Sequence, residues 1–118
     1  MSETLESMRQ LVNDYGDILS SERSAIHELT KARAACESEK IRSIQEAYST
    51  GSIDPKNAET RKAGENTAME LSPALPFLQE YEREAEQNYE QAEIDRKCIE
   101  AEISLTKAWL YSQSGIGK

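Results

Sequence analysis

Apolar and aromatic residues in the second half of the chain return at spacings of three, four and seven residues. This spacing places them on one face of an α-helix. The pattern predicts one long helix over about 73–112, whose apolar face must be covered by other helices. The positions that carry it are Leu71, Leu75, Leu78, Ala85, Tyr89, Ala92, Ile99, Ile103 and Leu110.

The first part of the chain follows a similar alternation and predicts a helix over about 3–49. Its main row is Leu5, Met8, Val12, Tyr15, Leu19, Ile26, Leu29 and Cys36, and its flanking row is Leu11, Ile18, Ala25 and Ala32. Gly16 lies within this pattern, where glycine costs about 1 kcal/mol relative to alanine, so a kink or break there is an alternative to a continuous helix. Gly51 follows Tyr48 by three residues and predicts a left-handed cap at the end of the helix.

Cap-and-proline signals divide the chain between the two long segments. Asp54 and Pro55 predict the start of a short, mostly polar helix over about 55–70, and Ser72 with Pro73 predicts the start of the last helix. Gly64 should weaken the short helix.

These signals predict an all-α fold: two long amphipathic antiparallel helices with a short helix between them. We expect an elongated helical hairpin or bundle in a single domain over 1–118, completed by oligomerisation. Each long helix carries one apolar face, which we call its stripe. An antiparallel pair within one chain and a helix-swapped dimer bury the same stripes, so both arrangements remain open. Four polar residues interrupt the stripes, Glu22, Arg33, Glu82 and Arg96, and their mutual pairing would fix the register.

The net charge of the chain limits the classes of molecule that it can bind directly. Fourteen Lys and Arg against 22 Asp and Glu give a net charge of −8. Such a chain is repelled by nucleic-acid phosphates and anionic membranes, so direct binding to either is not expected. The N-terminus has no signal-peptide pattern and no apolar run approaches the length of a membrane span, which predicts a cytoplasmic protein. Cys36 and Cys98 are interpreted as small buried hydrophobes.

The sequence offers no defensible catalytic or metal-binding signature. His27 and Glu28 begin like the HExxH zinc motif, but Lys31 stands where the second histidine ligand should be. Glu90 and Glu93 could share a helical face as an all-carboxylate magnesium site, although such pairs arise by chance in an acidic helix. We therefore expect no enzyme activity, no metal and no cofactor.

The last helix carries an acidic face. Between Gln79 and Glu102 there are nine acidic and three basic residues, and Glu82, Glu86 and Glu90 stand four residues apart, with Glu93 close by. This face could imitate a row of phosphates and occupy a basic groove on another protein. The alternative is an ordinary solvated helix face.

Aromatic residues near the end of the chain are candidate anchors for a partner. Of the aromatic residues of the last helix, which include Phe77, Tyr81 and Tyr89, the candidates are Trp109 and Tyr111, with Trp109 the stronger because it adjoins the tail. Packing against the first helix is the alternative interpretation for both.

One resemblance concerns the connector between the first two helices. The run from Thr50 to Arg61 is similar to the "G-x-I-x-G-K-N-x-x-x-R" connector of small helical proteins encoded by tailed phages and prophages, often near recombination or defence genes. Lys56, Asn57 and Arg61 match this pattern, and Pro55 replaces its second glycine. The resemblance implies a phage protein that works in the host cytoplasm by binding, with these three residues organising the turn.

Three functions follow as hypotheses. The leading one is a non-catalytic helical interaction protein, a homo-oligomer, that binds and inhibits a host defence or nucleic-acid-binding protein. The second is an accessory factor of phage recombination or replication. The third is an oligomer that sequesters a small anionic ligand around Lys56, Arg61 and Lys62.

Overall fold

The computed structural model describes residues 2–114 of the chain, and side chains from Leu5 to Gln113. It contains three helices: α1 (Ser2–Ser49), α2 (Ala58–Glu70) and α3 (Leu75–Ser114). No strand occurs within the described residues. The predicted all-α class, with two long helices and a short one between them, is confirmed.

The helices contribute to two compact units. Unit 1 combines α1 up to His27 with α3 from Gln87, and unit 2 is Glu28–Glu86, which includes α2 and the rest of the long helices. No helix in the described part of the chain combines the length and apolar character of a membrane span. The single domain expected over 1–118 stays a prediction.

Unit 2 has a continuous apolar core. Its α1 and α3 segments run antiparallel, because Glu28 accepts a hydrogen bond from Tyr81 while Glu39, further along α1, accepts one from Ser72. The buried apolar residues come from both long helices and from the connector: Leu29, Ala32, Cys36, Ile53, Leu75 and Ala85.

The end of α1 follows the sequence prediction. Gly51 has a φ of 77°, in the left-handed region, and the amide of Ser52 donates to the carbonyl oxygen of Ala47 at 2.9 Å. These are the features of a glycine-terminated helix. Ile53 then turns back into the core of unit 2, where it is only 4% exposed.

The predicted start of α2 at Asp54 and Pro55 is wrong, because the helix begins at Ala58. Asn57 is its N-cap, and its Oδ1 accepts from the amides of Glu59 at 2.9 Å and Thr60 at 3.4 Å. Asp54 instead accepts from the amide of Lys56 at 3.0 Å, two residues ahead. Both residues can cap a helix, and here Asp54 forms a local turn that leaves Asn57 to start α2.

Gly64 has a packing role that its sequence position alone did not indicate. A β-carbon placed on Gly64 would lie 3.0 Å from Cγ1 and 3.5 Å from Cβ of Ile53. The glycine therefore allows the connector to lie against α2. No residue of α2 is itself fully buried, so Ile53 is the main apolar contact between the connector and this helix.

The start of α3 agrees with the capping signal but not with the predicted stripe. Ser72 Oγ accepts from the amide of Leu75 at 3.2 Å, and Pro76 falls in the first turn, where its missing N–H is tolerated. Leu71, however, is the C-cap of α2 and is 76% exposed, so it does not belong to the buried face. The Ser72–Pro73 cap separates it from α3.

Unit 1 is more thinly packed. Its buried apolar residues among those described are Ala92 and Ile99, with Tyr89, Ile103 and Leu110 half-buried along the same face. The α1 and α3 segments again run antiparallel, with Tyr15 opposite Glu100 and Glu22 opposite Arg96.

The helix α1 continues without a break through Gly16, as the predicted helix over about 3–49 requires. The helix-propensity penalty of glycine, about 1 kcal/mol relative to alanine, does not interrupt a helix whose segments before and after the glycine both pack against α3. Outside the backbone of the helix itself and the two neighbouring residues, no described atom lies within 4 Å of the position that a β-carbon on Gly16 would occupy.

Candidate protein-binding surface

The polar interruptions of the two stripes pair with one another inside each unit. In unit 1, Arg96 Nε donates to Glu22 Oε2 at 2.7 Å, and in unit 2, Arg33 Nε lies 3.7 Å from Glu82 Oε1. The first pair is largely shielded, with Arg96 27% and Glu22 15% exposed in their side chains. The hypothesis that these four residues pair is thus confirmed by their geometry.

The Glu22–Arg96 pair in unit 1 extends into a network. Arg96 Nη1 donates to Glu100 Oε1 at 2.8 Å, and Tyr15 Oη donates to Glu100 Oε2 at 2.8 Å. The hydrogen bond to Glu100 raises the pKa of Tyr15, and the hydrogen bond to Glu22 raises the pKa of Arg96. The network ties α1 to α3 in unit 1 and occupies the polar groups at their contact.

A groove runs along one side of this helix pair. It has a volume of about 430 Å³, and its lining comes from both helices: Asp14, Asp17, Ile18, Asp95, Cys98, Ile99 and Glu102. The apolar part consists of Ile18, Cys98 and Ile99. The remaining four lining residues are carboxylates, and no Lys, Arg or His lines the groove.

Two of the groove carboxylates accept hydrogen bonds from uncharged side chains and so keep their negative charge. Asp14 accepts a hydrogen bond from Gln10 at 2.9 Å, and Asp95 accepts one from Gln91 at 2.9 Å. An amide donor satisfies a carboxylate lone pair without neutralising its charge. The groove is shallow and open, and it combines three apolar residues, which we call its floor, with four negatively charged carboxylates, which we call its rim.

Exposed apolar residues of α3 continue this floor beyond the groove. Ile94, Cys98, Leu105 and Trp109 are spaced by four, seven and four residues, which places them along one side of the helix. Ile94 is 53%, Leu105 73% and Trp109 51% exposed. We call the groove together with Ile94, Leu105 and Trp109 the groove surface.

The two predicted aromatic anchors do not share a surface. Trp109 belongs to the groove surface, whereas Tyr111, which is 58% exposed, lies about 200° further around the helix axis. Their use as anchors stays a prediction.

The predicted acidic face is partly compensated within the chain. In unit 2, Glu82 pairs with Arg33 and interacts with Cys36, whose pKa is raised mainly by burial and also by this carboxylate. Glu86 is exposed. Partner binding through this face stays a prediction.

In unit 1, Glu93 lies 2.9 Å from Lys97 Nζ, and the hydrogen bond from that lysine lowers the pKa of Glu93. Glu90 is exposed.

The connector residues act mainly through their local backbone. Asn57 caps α2, Lys56 donates its amide to Asp54, and Arg61 donates its amide to the carbonyl oxygen of Asn57 at 2.8 Å. A second groove of about 440 Å³ lies in unit 2, between the end of α1 and α2. Neither Lys56, Arg61 nor Lys62 lines it, so it lends no support to the anionic-ligand hypothesis.

The two thiols differ in exposure. Cys36 is buried at 3%, as expected, whereas Cys98 is exposed in the groove, so its interpretation as a buried hydrophobe is wrong. Cys98 lies on the flank of α3, directly before the buried Ile99 and one turn before Glu102, which is exposed. Within the described residues, no three His, Cys, Asp or Glu side chains are grouped so that they could hold a metal ion.

The groove surface was not predicted from the sequence. The spacing of Ile94, Cys98, Leu105 and Trp109 was available, but a second apolar row on α3 is weaker than its main stripe and is interrupted by polar residues. The approach of Asp14 and Asp17 to Asp95 and Glu102 depends on the register of the two helices, which the sequence left open.

Comparison with protein-family models, curated protein sequences and solved structures finds no match to this chain.

Proposed function

We propose that this chain is a non-catalytic helical interaction protein whose groove surface binds an amphipathic helix of a partner protein, with basic residues beside the apolar stripe of that helix. One observation carries the proposal: exposed Ile94, Leu105 and Trp109 lie beside a groove that is lined by four carboxylates and by no Lys, Arg or His. An apolar helix face laid into such a groove is a common mode of peptide recognition.

The charge of the rim selects the kind of helix. Asp14, Asp17, Asp95 and Glu102 repel an acidic partner and attract Lys or Arg side chains placed beside the apolar stripe. The same repulsion opposes a second copy on this surface, because four carboxylates would face four carboxylates. A different, basic protein is the occupant favoured by charge.

The finer proposal concerns the biological setting. The connector resemblance supports a phage-encoded protein that binds and inhibits a basic host protein, and defence or nucleic-acid-binding proteins commonly carry basic surfaces. An accessory role in phage recombination uses the same binding chemistry and differs only in the partner. We favour inhibition because the rim competes directly for basic side chains.

The first experiment measures binding of designed helical peptides by calorimetry. A basic peptide carries an apolar stripe flanked by Lys and Arg, a second peptide keeps the stripe and replaces the flanks with Glu, and a third scrambles the basic peptide. We expect the basic peptide to bind at least about tenfold more tightly than either of the others, a difference of about 1.4 kcal/mol. Its affinity should fall as salt is raised.

Charge reversal locates the binding surface. The double variant Asp17→Lys with Asp95→Lys should weaken binding of the basic peptide and strengthen binding of the acidic one. Glu86→Lys with Glu90→Lys makes the same charge change on the predicted acidic face and serves as the matched control. If the control variant loses the peptide and the groove variant retains it, the acidic face is the binding surface and our assignment is wrong.

Cys98 provides a chemical test of the same groove. It is exposed, whereas Cys36 is buried, so a maleimide should modify Cys98 in the folded protein. A bulky adduct at Cys98 should block the basic peptide. Unchanged affinity after complete modification would place the peptide elsewhere.

A further inference from the structure

A second apolar row lies on the other side of α1 from the groove. Leu5, Val12, Leu19 and Ile26 recur at a spacing of seven residues, while Ile18, Asp14 and Asp17 lie on the flank of α1 that lines the groove. Leu5 is 60%, Val12 55% and Ile26 45% exposed, and Leu19 is half-buried. We call these four residues the α1 row.

Gly16 lies beside the middle of the α1 row. It stands four residues after Val12 and three before Leu19, so the three residues share one helix face. Glycine is unfavourable inside a helix, and outside its own helix backbone and its two sequence neighbours no described atom lies within 4 Å of its absent β-carbon. The chain itself thus gives no packing reason for glycine here, in contrast to Gly64. A glycine on an exposed apolar helix face allows another helix to approach closely.

The charges beside the α1 row differ from those around the groove. Arg9 and Arg23 stand on its outer border, and the nearby Glu6 lies 3.6 Å from Arg9. On the inner border, Glu22 is paired with Arg96. The chain has a net charge of −8, but the acidic residues beside the α1 row are paired with arginines. The charge repulsion that opposes self-association through the groove surface is therefore absent from this face.

The α1 row is also self-complementary. Four equally spaced residues match a second, antiparallel row when a two-fold axis passes between Tyr15 and Gly16. In that register Val12 lies opposite Leu19 of the second copy, and Leu5 lies opposite Ile26. A two-fold interface needs this kind of correspondence, in which the same patch serves both subunits.

We infer that the α1 row is a homodimer interface, on which a second copy of this chain packs its own α1 in antiparallel orientation with its closest approach near Gly16. The contact runs for about 32 Å along the helix, from Leu5 to Ile26. The inference is independent of the proposed function, because it uses the opposite side of α1 and leaves the groove surface open to a different protein.

The test is light scattering coupled to size exclusion, at concentrations from low micromolar to submillimolar. The wild-type chain should run as a dimer. Gly16→Leu fills the space at the close approach and should shift the dissociation constant upward by at least tenfold. Because leucine favours the helix more than glycine does, loss of the dimer cannot be ascribed to unfolding of α1.

Two further variants locate the contact. Val12→Glu places a charge in the row and should also yield monomers. Ser24→Leu adds the same side chain as Gly16→Leu on an exposed position turned away from the row, and it should remain dimeric. Circular dichroism should show the same helix content for all four proteins.

The orientation is tested with nitroxide labels in a Cys98→Ser background, since Cys36 is buried. An antiparallel dimer places the two copies of Asn13→Cys about 8 Å apart along the helix axis and the two copies of Glu6→Cys about 29 Å apart. A parallel dimer gives nearly equal distances for the two labels.

Several results would overturn the inference. A wild-type chain that stays monomeric throughout the concentration range contradicts it. So does a dimer that withstands both Gly16→Leu and Val12→Glu, or one that is lost in Leu105→Glu instead, which would move the interface to the groove surface. Equal distances for the two labels would refute the antiparallel arrangement. A dimer lost in Leu105→Glu would also contradict the proposed function, because a second copy would then occupy the groove surface. The other outcomes leave the peptide test of the proposed function unchanged.

Discussion

Gly16 and Gly64 both stand inside helices, but they have different surroundings. Gly16 has open space where a side chain would point, whereas Gly64 faces the buried side chain of Ile53 at van der Waals distance. Helix propensity alone treats the two positions alike, and alanine would be favoured at either by about 1 kcal/mol. Their different effects on stability should come from packing.

We expect Gly64→Ala to destabilise the chain by about 1 kcal/mol net, in spite of the better helix propensity of alanine. The new methyl group would lie 3.0 Å from Cγ1 and 3.3 Å from Cγ2 of Ile53, both closer than ordinary van der Waals contact, so the buried isoleucine side chain or the connector must shift. Urea unfolding gives the measurement. In an Ile53→Ala background the same substitution should become neutral or stabilising, and a loss of stability in both backgrounds would contradict this explanation.

Glu39 is the residue whose ionisation should matter most at acid pH. Arg42 donates two hydrogen bonds to its carboxylate and Ser72 donates one at 2.7 Å, and these donors, Arg42 first, lower the pKa of Glu39 to about 2 from 4.5. A lowered folded-state pKa means that the stabilisation is fully present above about pH 4.5. It is then lost as the pH falls toward and through 2.

Glu39→Gln should therefore lower the melting temperature at pH 7 and flatten its dependence on pH between 4.5 and 2. Glu46→Gln removes the other carboxylate that pairs with Arg42, at 64% exposure, and is the control. It should change the melting temperature little, because exposed ion pairs contribute little. Equal effects of both variants would mean that the Ser72 contact is unimportant.

At the scale of elements, hydrogen bonds from tyrosine to glutamate recur between helical segments. Tyr15 bonds to Glu100 in unit 1, and Tyr48 bonds to Glu65 at 2.7 Å in unit 2. Tyr81 and Glu28 form the third such pair. Each bond raises the pKa of its phenol, so the contribution of these contacts is present below pH 10 and lost as the pH rises beyond it.

The Glu22–Arg96 pair should fix the alignment of α1 and α3 in unit 1 more than it adds stability. Arg96→Leu leaves Glu22 shielded without its partner and should cost roughly 1–3 kcal/mol in the free energy of unfolding. The double variant Glu22→Leu with Arg96→Leu restores two apolar positions to facing stripes and should recover that loss. Urea unfolding of both variants tests this, and a double variant as unstable as Arg96→Leu would show that the pair is needed for folding.

The accuracy of the predicted helix bounds differs between the periodicity signal and the capping signal. Periodicity depends on the local helix repeat, so the long helices were predicted almost to their ends. The start of α2 was misplaced because Asp54 and Asn57 are both competent caps, and only the turn made by Asp54 decides between them. Leu71 fits the period of α3 but precedes the cap at Ser72, and the cap determines where α3 begins, so Leu71 is exposed.

The candidate surface was less predictable than the helices. The sequence leaves Trp109 open between a partner anchor and packing against the first helix, and it favours burial of Cys98; both residues are exposed. The groove requires residues of α1 and α3 that are about 80 positions apart in the sequence, such as Asp17 and Asp95, and no single-sequence pattern reports which residues of two helices lie side by side. The same limit applies to Gly64, whose neighbour Ile53 lies in the connector.

At the scale of the whole molecule, the two units differ in how much apolar surface they bury. Six apolar residues are buried in unit 2 among those described, whereas unit 1 has Ala92 and Ile99. Local opening is less costly where fewer apolar contacts must break. We therefore expect amide hydrogen exchange to be faster in α1 and α3 of unit 1 than in the same helices within unit 2, at low protein concentration.

The dependence of amide exchange on protein concentration should show whether the small core of unit 1 is stable alone or is completed by a second copy of the chain. If α1 pairs through the α1 row, amides from Leu5 to Ile26 gain protection as the concentration rises, because binding to the folded state raises the free energy of opening by mass action. Amides of α2 in the same samples provide the internal reference. Val12→Glu should abolish the concentration dependence without changing the protection of unit 2. Protection that is equally high in both units at every concentration would mean that unit 1 needs no partner for its stability.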